Sequence, residues 1–213
     1  MAHTSSMAFI LELVDSAKYL GVNISKTLSW NEHVHKTALK ADNTRAFIQR
    51  NMRHCPRNVK AACYTTLIRP GLEYASCIWN PHTADNIHRL ERVQRRSARF
   101  VTGYYSWYSS VSPMINTLGL ESLEARRAKS QVTMLYRITN NLIDIPSSTY
   151  LVPLQSSSRG HGYRFFQPYC RTLTLQRSFF PTAISQWNRL PESLFAQPTL
   201  EGFKAGLAAF PLA

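Results

Sequence analysis

The stretch Thr83–Gly103, TADNIHRLERVQRRSARFVTG, sets Ile87, Leu90, Val93 and Val101 at helical spacing, with Ala98 between them. It ends on a glycine suited to stop a helix. Within it Arg89, Arg92, Arg96 and Arg99 recur at steps of three, four and three, so they fall in one stripe, flanked by Arg95. Guanidinium groups stay charged and bind phosphates through two parallel hydrogen bonds. The five arginines are therefore candidates to track a nucleic-acid backbone. The plainer alternative is the solvated face of an ordinary helix, with Glu91 as its neutralising partner. Tyr104, Tyr105, Trp107 and Tyr108 follow directly; such rings can stack on bases, but at least half of them are read as core.

Outward from this helix, helical patterns run from about residue 29 to 142. Ser29 with Glu32 has the form of a capping box, and Val34, Ala38, Ala41, Ile48 and Met52 keep helical spacing behind it. Pro56 suits the first turn of a second helix whose apolar face is read as Val59, Ala62, Cys63 and Leu67. Pro70 ends or kinks it, and Gly71 to Trp79 continues as another helical piece. Ser112-Pro113 is read as a cap followed by first-turn proline. Glu121 to Leu142 is a long helix packing through Leu123, Ala128, Val132, Leu135, Ile138 and Leu142. On the N-terminal side, residues 8–25 read as a hairpin: a strand over Phe9–Leu13, a turn at Asp15-Ser16-Ala17, and a strand over Tyr19–Ile24 with a close backbone approach at Gly21. Two strands alone are marginal, so this hairpin needs a further surface to pack on.

Residues 144–163 gather Pro, Ser and Gly and read as a linker or loop. Beyond them, Tyr163–Phe180 is aromatic and β-branched in patches and reads as a hairpin or extended segment. Pro181–Leu190 is a short helix carrying Trp187, and Thr199 caps a last helix with Phe203 and Leu207. The expected fold is mainly α: a short N-terminal β-hairpin (1–28), a helical bundle (29–143), the linker (144–163) and a mixed α/β C-terminal extension (164–213).

Composition suggests a class of partner. The chain has 213 residues, 44 % of them hydrophobic, which is ample for a packed core. Its 25 Lys and Arg against 12 Asp and Glu give a net charge of +13. Polyanions are attracted by such an excess, nucleic acid first and an anionic membrane surface second. No apolar run reaches the roughly 18 residues of a spanning helix, and Met1–Ile10 has no basic start of the signal-peptide kind. No membrane partner is expected, and the location expected is nucleus or cytoplasm. Cys55, Cys63, Cys77 and Cys170 fit no zinc spacing and read as buried small apolar residues.

Catalytic chemistry is hard to find. Two-metal nucleotidyl transfer needs carboxylates converging on ions about 4 Å apart. The four aspartates, Asp15, Asp42, Asp85 and Asp144, are scattered, each with a plain position in a turn, on a solvated face or near a helix end. His33-x-His35 has side chains pointing apart on a helix, Gly160-His161-Gly162 lacks the strand and helix of a nucleotide loop, and no pattern selects a Cys/His nucleophile. No catalytic residue, metal or cofactor is expected.

Four phrases in order carry a resemblance. Lys18-Tyr19-Leu20-Gly21-Val22 with Leu28-Ser29-Trp30-Asn31-Glu32-His33-Val34 resembles the segment just after the catalytic palm of LINE-type, non-LTR retrotransposon reverse transcriptases, jockey-like ones in particular. Ile68-Arg69-Pro70-Gly71-Leu72-Glu73-Tyr74-Ala75 with Trp79-Asn80-Pro81 is similar to their "R-P-x-L-E-Y-A … W-x-P" stretch. Leu90 to Phe100 resembles the helix that follows it. Arg171-Thr172, Ser178-Phe179-Phe180-Pro181 and Trp187-Asn188-Arg189-Leu190-Pro191 look like the closing motif. The resemblance covers roughly residues 10–205. It implies last palm strands up to about residue 28, then a thumb that grips template–primer duplex, with Arg89, Arg92, Arg95, Arg96 and Arg99 set to contact phosphate. The family's paired catalytic aspartates and its endonuclease domain have no counterpart here. The expectation is a catalytically incomplete C-terminal fragment of an RNA-directed DNA polymerase that retains nucleic-acid binding, or alternatively a domesticated helical protein-interaction module.

Overall fold

The computed structural model describes residues 14–106, 108–154, 161–210 and 212. The chain is mainly α with a short N-terminal hairpin. Strands β1 (Ser16–Tyr19) and β2 (Val22–Ser25) pair antiparallel, Tyr19 opposite Val22 and Ser16 opposite Ser25. The turn is therefore at Leu20-Gly21, and Ser16-Ala17, read as a turn, lies inside β1. Both turn residues have positive φ, 44° and 86°, as a two-residue primed turn demands. Leucine in that conformation costs about 1 kcal/mol and hides the turn from sequence reading. The expected strand Phe9–Leu13 lies outside the described residues. The close approach at Gly21 is real: a Cβ there would stand 3.2 Å from the Tyr74 ring, whose hydroxyl donates to the Leu20 carbonyl at 3.0 Å. The hairpin has its surface within the chain, since Val22 is buried and Ile24 packs in the same core.

Helix α1 (Asn31–Asn51) buries Val34, Ala38, Ala41 and Ile48, as its spacing predicts. The capping box does not form. Trp30 is the N-cap residue without a side-chain cap, and Glu32 pairs with Lys36 one turn on. Helix α2 (Arg57–Cys63) starts after Pro56 and runs into a π-helical turn (Tyr64–Ile68) and then α3 (Arg69–Glu73). The cause is Pro70, which has no N–H to give to the preceding turn and whose ring crowds it; the helix widens, and the Arg69 N–H reaches back to the Tyr64 carbonyl. This shifts the phase of the packing face. Tyr64, Ile68 and Leu72 are buried, whereas Leu67 is 59 % exposed and Val59 and Ala62 also face outward. Of the face read as Val59, Ala62, Cys63 and Leu67, only Cys63 packs against the core, half-buried; the other three are corrected to exposed positions. A left-handed Ala75 leads into α4 (Ser76–Trp79), whose Trp79 is fully buried and donates its indole N–H to the Tyr74 carbonyl at 2.7 Å.

Helix α5 (Ala84–Thr102) ends on left-handed Gly103, as read. Its buried residues Asn86, Leu90, Val93, Ser97 and Phe100 step by four and three, and Val34, Ala38, Ala41 and Ile48 on α1 keep the same rhythm. The two helices run parallel. Asn86 bonds Asn31, Arg89 bonds His35, Arg96 bonds Asp42, and Gln49 bonds Tyr105 just past α5. Partners ascend together along both chains, at a spacing of seven residues between the two central links, which is the packing repeat of side-by-side helices.

Helix α6 (Ser112–Thr117) has Ser112 in its first turn; Val111 is the N-cap residue, so the reading of Ser112 as cap is corrected. Helix α7 (Leu123–Thr139) is capped by the Ser122 side chain, which accepts from Ala125 N–H. It stops short of Leu142. Asn141 is left-handed (φ 53°), Leu142 N–H returns to the Arg137 carbonyl and Asn141 N–H to that of Ile138, which closes the end as a Schellman motif. A short turn α8 (Ser147–Tyr150), α9 (Leu173–Gln176), α10 (Phe179–Trp187), a 3-10 turn (Glu192–Leu194) and α11 (Leu200–Ala208) follow. Thr199 caps α11 through Gly202 N–H, as read. Strand character in the C-terminal part amounts, among the described residues, to the single bridge Pro153–Phe165.

Two cores result. The first joins β2, α1 and the π turn to α5 and Leu123; the second joins Val132, Leu135 and Ile138 of α7 to Trp187, Leu194, Phe203 and Leu207. Helix α7 serves both. Leu151 and His161, from the region read as linker, are buried, so that segment is tied down at both described flanks. The cysteines are half-buried rather than buried; Cys77 Sγ lies 3.3 Å from Ser130 Oγ. The shifted face of α2 and its π turn gives a direct test by urea denaturation. Leu72→Ala, in the core, is expected to cost about 2–5 kcal/mol, and Leu67→Ala about 0.5 kcal/mol or less. Equal losses would mean that the π turn does not set the packing phase.

Candidate nucleic-acid interface

At 100° per residue the five arginines of α5 fit within about 120° of arc, on the flank that borders α1. They do not act alike. Arg89 Nη1 lies 2.5 Å from His35 Nδ1, Arg96 Nη1 donates to Asp42 Oδ2 at 2.6 Å, and Arg99 is half-buried with Nη2 3.5 Å from the Ser109 carbonyl. Arg92 and Arg95 are exposed and have no ion pair among the described residues. The stripe is therefore two links to α1, through Arg89 and Arg96, one contact to the segment after α5, through Arg99, and two guanidinium groups, Arg92 and Arg95, without an ion pair among the described residues.

Asp42 is the hub of that seam. It accepts from Arg45 Nε at 2.6 Å and from Arg96, and Arg45 Nη1 in turn donates to Gln49 Oε1 at 2.5 Å. Gln49 Nε2 donates to the Tyr105 hydroxyl at 3.1 Å. One chain of polar contacts thus runs from Arg96 to the aromatic segment past α5. Burial pushes the Asp42 carboxyl up, but the hydrogen bonds and charges of Arg45 and Arg96 outweigh it and hold it below the usual carboxylate range.

Glu91 does not neutralise the arginines, as the sequence invited. It accepts the Glu124 N–H at 3.1 Å, closing the N-terminal end of α7, and makes no ion pair among the described residues. The tyrosines are also corrected: Tyr104, Tyr105 and Tyr108 are 64 %, 56 % and 95 % exposed, not core, while Trp107 lies outside the described residues. Exposed aromatic rings and exposed cations are the two kinds of group that single-strand-binding surfaces combine.

Sequence reasoning missed the cluster where α3, α5 and α7 meet. Arg126 makes a two-pronged ion pair with Glu73. Arg127 is 1 % exposed; its Nε donates to Asn80 Oδ1 at 3.1 Å, and its Nη1 and Nη2 are buried without a hydrogen-bond partner among the described residues. Burial lowers its affinity for the proton, against the pull of Glu91, Glu124 and Glu73. The spacing did carry a signal: Arg127 lies one turn after Leu123, inside the arc of Leu123, Leu135 and Ile138, whereas Arg126 and Lys129, both half-buried, fall outside it. His33 is buried against Trp79, ring centres 4.7 Å apart, and His35 faces Arg89, so the two histidines diverge. Asp15 pairs with Lys26 and Asp42 with arginines; among the described residues no three His, Cys, Asp or Glu side chains gather in a way that could hold a metal ion. Among the same residues no helix is long and apolar enough to cross a membrane.

The Asp42 hub gives a signed pH prediction. A carboxyl depressed in the folded state stabilises at neutral pH, and that contribution is lost as pH falls through about 4 and below. Asp42→Asn should cost about 1 kcal/mol at pH 7, and the melting temperatures of variant and parent should converge toward pH 3. A constant gap from pH 7 to pH 3 would show that the charge of Asp42 is immaterial.

Compared with protein-family models, with curated proteins and with solved structures, the chain has no match.

Proposed function

We propose that this chain is the thumb-like and downstream part of an RNA-directed DNA polymerase from a non-LTR mobile element, and that it holds nucleic-acid duplex without performing chemistry. The carrying observation is the cationic edge of α5: Arg92 and Arg95 stand exposed and without an ion pair among the described residues, and Tyr104 and Tyr105 lie exposed at its end. The four ordered phrases of sequence resemblance and the charge of +13 support the same reading. Phosphate contacts of this type release counterions, so affinity should fall steeply with salt. The scattered aspartates favour a holding role over a catalytic one.

The test is a gel-shift salt titration on a primer–template duplex. Arg92→Glu with Arg95→Glu is the cleaner pair, because reversing Arg96 would set two carboxylates side by side at Asp42 and disturb the fold. The double variant should bind at least tenfold more weakly, with the log–log salt slope reduced by about 2. A metal-dependent primer-extension assay should give no product above background. Salt-insensitive or absent duplex binding would favour a protein-interaction module instead, and metal-dependent extension would overturn the non-catalytic half of the proposal.

A further inference from the structure

Where α1 and α5 end, a cleft of about 590 Å³ opens between them and α2. Its cations come from three places: Arg50 in the last turn of α1, Arg53 just beyond it, and Lys60 on α2. Phe100 is buried in the cleft wall, with Lys60 Nζ 5.6 Å from its ring centre, and Tyr105 stands at the rim, held by Gln49. Among the described residues no carboxylate lines this space and none of the three cations takes part in an ion pair.

Because α1 and α5 are parallel, both present their C-terminal ends here. Each end carries roughly half a negative charge, and basic residues placed there usually serve only to offset it. Two ends supply about one negative charge against three cations, so a net excess of about two positive charges remains. Cations converging on one cleft from separate elements differ from the α5 edge, where guanidinium groups succeed one another along a line. A line suits a chain of phosphodiesters; a convergent set with a net charge near two suits a single dianion. The volume lies within the range of small-ligand sites, and the Tyr105 ring gives a flat base something to lie on.

We infer that this cleft is a second site, which takes the terminal phosphate monoester of a nucleotide between Arg50, Arg53 and Lys60 with its base against Tyr105. The inference rests on the proposed nucleic-acid role only in taking the phosphate to be carried on a nucleotide. The nucleotide is either free or the end of a strand, and the cleft chemistry is the same for both.

Fluorescence anisotropy separates the cases. The probes are one internally labelled hexanucleotide with a 5′-phosphate, with a 3′-phosphate, and with hydroxyls at both ends. One phosphorylated form should bind roughly tenfold more tightly than the dihydroxyl form. That preference should vanish in Arg53→Gln with Lys60→Gln, one exposed and one half-buried position, with folding checked by thermal melting. It should survive in Arg92→Glu with Arg95→Glu even as duplex affinity falls, which keeps this site's failure distinct from failure of the duplex edge. Competition by a nucleoside monophosphate at equal concentration assigns the cleft to free nucleotide; no competition assigns it to strand ends. Equal binding of all three probes, or a preference that persists in Arg53→Gln with Lys60→Gln, overturns the site. Displacement by inorganic phosphate as efficient as by the mononucleotide overturns the stacking of a base on Tyr105.

Discussion

The parallel seam between α1 and α5 is the constraint on which the first core depends. Parallel neighbours cannot be joined by a short turn; the chain leaves α1 at one end and must return to the other before α5 begins. The segment from Arg57 to Trp79 makes that return, and it covers the helix pair as it goes, burying Tyr64, Ile68, Leu72 and Trp79. The kink at Pro70 and the π turn before it are what let one helical segment bend along this path. The small residues of the seam, Ala38, Ala41 and Ser97, allow the close approach, and polar links at Asn31–Asn86 and Asp42–Arg96 fix the register. Sliding one helix along the other would leave Asp42, only partly exposed, without its second partner.

The same seam distributes charge. Heptad-like packing puts residues 89 and 96 beside α1, where they are used up on His35 and Asp42, and leaves 92 and 95 facing outward. Parallel helices also gather both C-terminal ends, and with them Arg50, Arg53 and Lys60, at one end of the pair. A basic composition alone gives a diffuse positive field; the seam sorts it into an edge and a cleft.

Helix α7 carries the connection to the second core. Glu91 closes its N-terminal end, Arg126 holds Glu73, and Asn80 reaches both Arg127 and Gln131. These are polar contacts in a crowded place, and Arg127, whose Nε alone finds a hydrogen-bond partner among the described residues, is buried there at a cost that the surrounding packing offsets. The second core is then built largely of aromatic contacts, with Trp187 among Phe165, Phe195 and Phe203.

Long periodic helices were legible in the sequence because burial on one face leaves its period in the residues: α1, α5 and α7 follow from Val34, Leu90 and Val132 and their neighbours. The π turn was not legible, since one widened turn changes the phase without changing composition, and it moved the core face from Leu67 to Ile68. The hairpin turn was hidden because Leu20 takes a conformation that leucine rarely takes. Of the candidate interface, the stripe was readable from spacing, but not which arginines were committed to α1, because that depends on a partner helix over fifty residues away. The tyrosines after Gly103 were misjudged because aromatic residues carry no signal of their own for inside or outside.

Arginine-specific chemical modification, read by mass spectrometry with and without a primer–template duplex, tests the central claim most directly. The account predicts that duplex protects Arg92 and Arg95 while Arg171 and Arg177 in the C-terminal part stay reactive. Unchanged reactivity at Arg92 and Arg95 with bound duplex would contradict it.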